Sequence, residues 1–169
     1  DETTFLQFFQ TLKELHYPLR VVVADDRTSV PLALKQVYPD VPLQLCLNHY
    51  VENIREQLHI RTDETHRHFF RSLKKYVFDE YENDEKLNAA LHHVWTEHCK
   101  NIPLRQAIVL QIDKRRKELF IYKTIPNCPN NTNLIELFNS HFNPRLKLLK
   151  GFKNKPHALV GSDLASEIP

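Results

Sequence analysis

An α/β fold is predicted by three features of this sequence. Two short apolar runs, "RVVVA" at 20–24 and "VPLQLC" at 41–46, lack the alternation of a half-buried strand and read as buried, parallel ones. Each run follows a segment of helical periodicity, so 3–46 reads helix, strand, helix, strand, with a right-handed crossover. The third feature is glycine. There are two in 169 residues, Gly151 and Gly161, so tight hairpins, which favour glycine, are not expected and the remainder should be helical.

The first helix is expected over 3–16, where Phe5, Leu6, Phe9, Leu12 and Leu15 recur at helical spacing. Thr3 or Thr4 can cap it, and Pro18 stops it. The first strand then runs into Asp25 and Asp26. Ser29 can cap the second helix, with Pro31 in its first turn and Leu32, Leu34, Val37 and Tyr38 on its apolar side. Pro39-Asp40 ends it, and the second strand follows. From 47 to about 118 the expectation is helical throughout. Phe69, Phe70, Leu73, Tyr76 and Val77 mark one amphipathic stripe, and Leu87, Leu91, Val94 and Trp95 another. Leu104, Ile108, Ile112 and Leu119 mark a further helix beginning after Pro103. "DEYENDEK" at 79–86 reads as a helix end and exposed turn, and "PNCPNN" at 126–131 as a loop. A last helix begins near Thr132, and Pro144 breaks or kinks it.

Composition excludes several classes. No apolar run approaches the roughly 20 residues of a membrane helix, and no signal-peptide pattern opens the chain. Three widely spaced cysteines, Cys46, Cys99 and Cys128, argue against a disulfide framework and fit a reducing compartment. Phosphate loops, dinucleotide fingerprints and Gly-flanked nucleophilic serines are missing. The chain contains no methionine and is expected to be a piece of a longer one. Net charge is +2, but no Asp or Glu lies between Glu136 and Asp163, where Arg145, Lys147, Lys150, Lys153 and Lys155 are found. That segment is either a solvated tail or a surface that neutralises phosphates.

Three places can carry chemistry. Asp25 ends a buried strand, where ligands bind in open α/β sheets, although "DDRTS" also suits a turn or helix cap. Cys46 and His49 are either half of a zinc site, for which no second pair has suitable spacing, or a buried pair bracing a sheet-to-helix turn. Glu136 is the only acid in "NTNLIELFNS", residues 131–140, with Asn133 and Asn139 three positions to either side. It is a surface glutamate or a metal ligand.

Taken in order, "VVVADD", then "ALKQVYPDVPLQLCLNHYVENI", a helical stretch and "NTNLIELFNSHFNPRLKLLKGFKNKPHA" resemble the DDE transposases of the Mutator-like group and their bacterial insertion-sequence relatives. In that group a strand ends in the second catalytic Asp. A helix, a Pro-Asp turn and a strand ending in Cys-x-x-His follow. The catalytic Glu arrives in an Asn-rich "NNxIExFN" helix leading to a basic segment. The resemblance covers about 1–158, the middle only as helix.

The resemblance implies a partial RNase H-like fold with an all-helical insertion: core over 1–50, insertion over 51–125, final core helix and basic segment over 126–158, and a tail over 159–169. It implies that Asp25 is the second acid, with Asp26 as its rival, and that Glu136 is the third. Cys46 and His49 match the Cys-x-x-His motif as architectural or near-site residues. Asn133 and Asn139 would orient the Glu136 carboxylate or bound water without competing for charge. The implied cofactor is a pair of Mg²⁺ or Mn²⁺ ions about 3.5–4 Å apart, because in-line attack at phosphorus needs both attacking and leaving oxygens stabilised. The first acid of the group has no counterpart in the 169 residues, so the two-metal site is expected to be incomplete and the isolated chain inactive. DNA is the implied partner, held through phosphates at 145–155, with a homo-oligomeric parent, an intracellular location and no membrane. A non-catalytic, transposon-derived DNA-binding module and a helical protein-interaction domain remain as alternatives.

Overall fold

The computed structural model describes residues 2–26 and 29–133. All but Asn133 belong to one unit, Asp1–Thr132. Helix α1 (Glu2–Glu14) leads to strand β1 (Val22–Ala24), helix α2 (Ser29–Val37) and strand β2 (Leu43–Leu45). Helices α3 (Leu47–Gln57) and α4 (Arg67–Leu73) follow, α4 continuing into a π-helical turn, Lys74–Asp79. Helices α5 (Asp84–His98), α6 (Pro103–Lys114) and α7 (Arg116–Phe120) and a 3₁₀ turn, Ile121–Lys123, complete the series.

The two strands pair in parallel with Val22 opposite Leu43, Val23 opposite Gln44 and Ala24 opposite Leu45. The expected α/β unit is therefore present, as a two-stranded sheet in a largely helical molecule. Both strands are shorter than the apolar runs that predict them. β1 is only half-buried along its length, whereas Gln44 and Leu45 on β2 are fully buried. β2 is the strand enclosed by helices. Leu43 packs against both apolar clusters of the unit. One cluster gathers Phe9 of α1 with Val30, Ala33, Leu34 and Val37 of α2. The other runs from Leu45 and Tyr50 through Phe69, Leu73, Val77, Leu87, Val94, Ile108, Ile112 and Leu119.

Several local expectations are corrected. α1 begins at Glu2, so Thr3 and Thr4 lie inside it, and it ends at Glu14, leaving Leu15 71% exposed beyond it. His16, at φ 54°, turns the chain away there. Ser29 is the first residue of α2, and Leu32 is exposed while Val30 and Ala33 fill the buried side. Leu104 is exposed, and the helix that starts at Pro103 ends at Lys114, so Leu119 belongs to a separate helix. Trp95 lies outside the buried stripe of α5, which is Leu87, Leu91 and Val94. The turn at 79–86 is where expected: Asn83 caps α5, its side chain accepting from the Lys86 N–H at 2.9 Å. The π-helical turn buries the consecutive residues Val77 and Phe78. Phe78 lies 6.3 Å from the Tyr50 ring and 6.1 Å from that of Phe120.

With glycine absent from the described residues, the left-handed turn positions fall to His16, His59, Asn101 and Asn127. Asn tolerates that region better than most residues with a Cβ, which suits it to the loops after α5 and before residue 130.

Candidate functional site

The site is built at the carboxyl ends of the two strands. The Cys46 N–H donates to the Ala24 carbonyl at 2.8 Å, so the chain leaves both strands at one level. Asp25 and Asp26 follow β1, and Cys46 and α3 follow β2. That register brings His49, in the first turn of α3, to Asp25: Nδ1 lies 3.8 Å from Oδ1, an electrostatic contact longer than a hydrogen bond.

The two neighbouring acids have different surroundings. The Asp25 side chain is 38% exposed. Asp26, at 24%, accepts from Arg115 at 2.5 Å, and Arg115 also donates through Nε to Glu118 at 2.9 Å. The Arg115 guanidinium lies 5.9 Å from the centre of the Tyr50 ring. Burial would lower the pKa of Arg115, but its hydrogen bonds and charge attraction to Asp26 and Glu118 outweigh that and raise it. Asp26 thus ties the sheet end to the region joining α6 and α7.

Cys46 is buried and serves as the residue before α3, and its Sγ accepts from Thr132 Oγ1 at 3.4 Å. The Leu47 N–H, one of the donors a helix start leaves over, is taken by the Asn130 carbonyl at 2.8 Å. The 126–131 loop is thereby anchored on the start of α3. Among the described residues no group of three His, Cys, Asp or Glu side chains can hold a metal ion. Asn133 is the last described residue and is exposed. Glu136, Asn139, Arg145, Lys147, Lys150, Lys153 and Lys155 lie outside the described residues.

The structure thus brings together Asp25, its rival Asp26, His49 and Cys46, and adds Tyr50, Arg115, Glu118, Asn130 and Thr132, for which no sequence pattern gives a place at the site. Tyr50 lies one residue after the Cys-x-x-His stretch. Its hydroxyl is buried with no hydrogen-bond partner among the described residues. Burial pushes its pKa from 10 up to about 12; Arg115 opposes this, and Asp26 and Glu118 add to it. The folded chain therefore keeps Tyr50 neutral where an unfolded chain would ionise it. This contribution is whole below pH 10 and lost as pH rises towards 12, about 2–3 kcal/mol in all. Tyr50→Phe should flatten the fall in stability between pH 10 and 12 in urea unfolding. It should leave the protein as stable at pH 7, or more so, because an unpartnered buried hydroxyl costs free energy. Superimposable alkaline profiles for the two proteins would contradict this.

No helix among the described residues is long and apolar enough to cross a membrane. The family model described as "Transposase, Mutator family" matches residues 1–160. No curated protein and no solved structure matches the chain.

Proposed function

The chain belongs to the Mutator family of transposases, and from that premise we propose that it forms part of an RNase H-like catalytic domain for metal-dependent DNA strand cleavage and transfer. In this reading Asp25 and Glu136 are two of its acids. The observation that carries it is the unequal treatment of adjacent carboxylates at the strand ends. Asp26 is held by Arg115, and Asp25 remains the more exposed, with the His49 imidazole at its flank. An ammonium or guanidinium in the place of His49 would compete with a divalent ion for the carboxylate more strongly than an imidazole at 3.8 Å does.

The anchoring of Asn130 and Thr132 on Leu47 and Cys46 adds support. Glu136 follows Thr132 by four residues in the sequence. When bound, divalent ions would activate the attacking oxygen and stabilise the leaving one. Asp25 would supply hard oxygen ligands, Cys46 and Thr132 would brace the turn that carries His49, and Asn133 and Asn139 would orient the Glu136 carboxylate. The Arg145, Lys147, Lys150, Lys153 and Lys155 segment would hold duplex phosphates without reading sequence. An intracellular location and a homo-oligomeric parent accompany the reading.

Mn²⁺ titration followed by water-proton relaxation tests it. Asp25→Asn and Glu136→Gln should each weaken Mn²⁺ binding about tenfold, a loss of roughly 1.4 kcal/mol. Asp26→Asn, measured below its melting temperature, should bind as the parent does. Unchanged affinity in Asp25→Asn, or a loss confined to Asp26→Asn, would remove Asp25 from the metal site.

A further inference from the structure

The end of α3, the turn after it and α4 enclose a concave surface distant in sequence from the basic segment at 145–155. Arg55 on α3, Ile60 and Arg61 in the turn, and Arg67, Phe70 and Arg71 on α4 line a cavity of about 360 Å³. A second cavity, of about 350 Å³, shares Arg55, Ile60 and Arg61 and continues to Glu56, His59 and Thr62. Either volume falls at the lower end of ligand pockets, about 300–1,000 Å³.

The charge of the first cavity is one-sided. Its lining holds four guanidiniums and no carboxylate. Glu52 serves two of them, accepting from Arg55 at 3.2 Å and Arg61 at 2.9 Å, and Glu64 takes Arg67 at 2.6 Å. Arg71 has no ion pair among the described residues. Four cations therefore face two carboxylates, both outside the lining. Glu56 is the one acid in the adjoining cavity. Arg55 Nε is buried and has no hydrogen-bond partner among the described residues. Between the guanidiniums the lining is apolar: Ile60 is buried, and Phe70 is half-buried against the core.

We propose that this pocket binds a single-stranded nucleic acid, its phosphates held by Arg55, Arg61, Arg67 and Arg71 and one unpaired base resting on Phe70 and Ile60. Guanidiniums suit phosphate oxygens because their donors form a planar fork. An aromatic face set among cations is the combination that receives unstacked bases, each worth about 1–3 kcal/mol of stacking. A duplex keeps its bases stacked inside and would present only its phosphates here. That the strand is DNA rests on the proposed function; the preference for an unpaired base rests on the pocket alone.

Fluorescence anisotropy with labelled oligo-dT, oligo-rU of the same length and a matching duplex, from 50 to 200 mM salt, tests the proposal on the whole chain. Arg61→Ala/Arg71→Ala changes exposed side chains, and thermal melting will verify the fold. It should weaken oligo-dT binding about tenfold and flatten the log–log salt slope by about 1.4, the value for two single-strand phosphate contacts. Phe70→Leu should weaken oligo-dT binding about fivefold, leave the slope unchanged and spare the duplex. Parent-like affinity and slope in the arginine variant overturn the pocket, as does equal loss of single strand and duplex in Phe70→Leu. Tighter binding of oligo-rU than oligo-dT overturns DNA as the ligand. Failure of the catalytic reading is distinguishable, because it appears in Mn²⁺ binding to Asp25→Asn while the oligonucleotide results stand.

Discussion

Replacing Gln44 with leucine should lower the unfolding free energy by about 2–4 kcal/mol, the cost of lost hydrogen bonds plus buried groups left unpaired. Gln44 is the one buried polar residue among the described residues and is 0% exposed. Its Nε2 donates to the carbonyls of Leu45, at 2.6 Å, and Leu119, at 2.8 Å, and its Oε1 accepts from the Tyr122 N–H at 2.9 Å. Leucine is of similar size, so little cavity results, but it strands the Leu119 carbonyl and the Tyr122 N–H inside the fold. The bonds join β2 to the segment that closes the helical series, 75 residues away and more. The loss should therefore lower cooperativity as well as the urea midpoint. A change under 1 kcal/mol in chemical denaturation would mean that water reaches these groups and that Gln44 is not the fastener between sheet and helices.

The second large effect concerns Arg115. Arg115→Met should cost about 2 kcal/mol, below the 3–5 kcal/mol for breaking a fully buried pair because both partners keep about a fifth to a quarter of their surface in water. Asp26→Asn should cost less, since an amide can still accept from the guanidinium. The double variant should be more stable than the sum of the single losses predicts, by at least 0.5 kcal/mol, roughly the smallest coupling expected between residues in contact. Additive losses would show that the 2.5 Å contact contributes nothing specific and that Asp26 is not set apart from Asp25 by Arg115. The measurement therefore bears on the assignment of roles to the two acids as well as on stability.

Helix positions were largely legible because burial along a helix repeats every three to four residues. Leu87, Leu91 and Val94 show this on α5, and Phe69, Leu73 and Val77 on α4 and its π-helical continuation. Errors fell at the ends and on the flanks. Leu15, Leu32, Trp95 and Leu104 fit an apolar stripe yet face solvent, because periodicity reports which residues share a face and not where that face stops being covered. The strands were overestimated for a related reason. An apolar run sets the length that can pair, but only a partner sets the length that does, and the Val22–Ala24 pairing uses three residues.

At the site, Asp25, Cys46 and His49 were legible because each lies within four residues of a strand end, and a strand end is a local feature. Arg115 and Thr132 were not. Their partners lie 89 and 86 residues away, and nothing in "DKRRKE" distinguishes Arg115 from Arg116. Gln44 was invisible for the opposite reason: it lies inside an apolar run, where a lone amide reads as an interruption.

The sequence by itself determined the order of helices and strands, the parallel crossover and the family, because these are written in short-range periodicity and in motifs read in order. Tertiary structure alone decided which of two adjacent aspartates is held by an arginine and which loop closes over the start of α3. It also decided that four arginines around Phe70 share one hollow. Those outcomes depend on contacts between residues far apart in the chain, and such contacts are fixed by the packing of whole elements rather than by the identity of any neighbour in sequence.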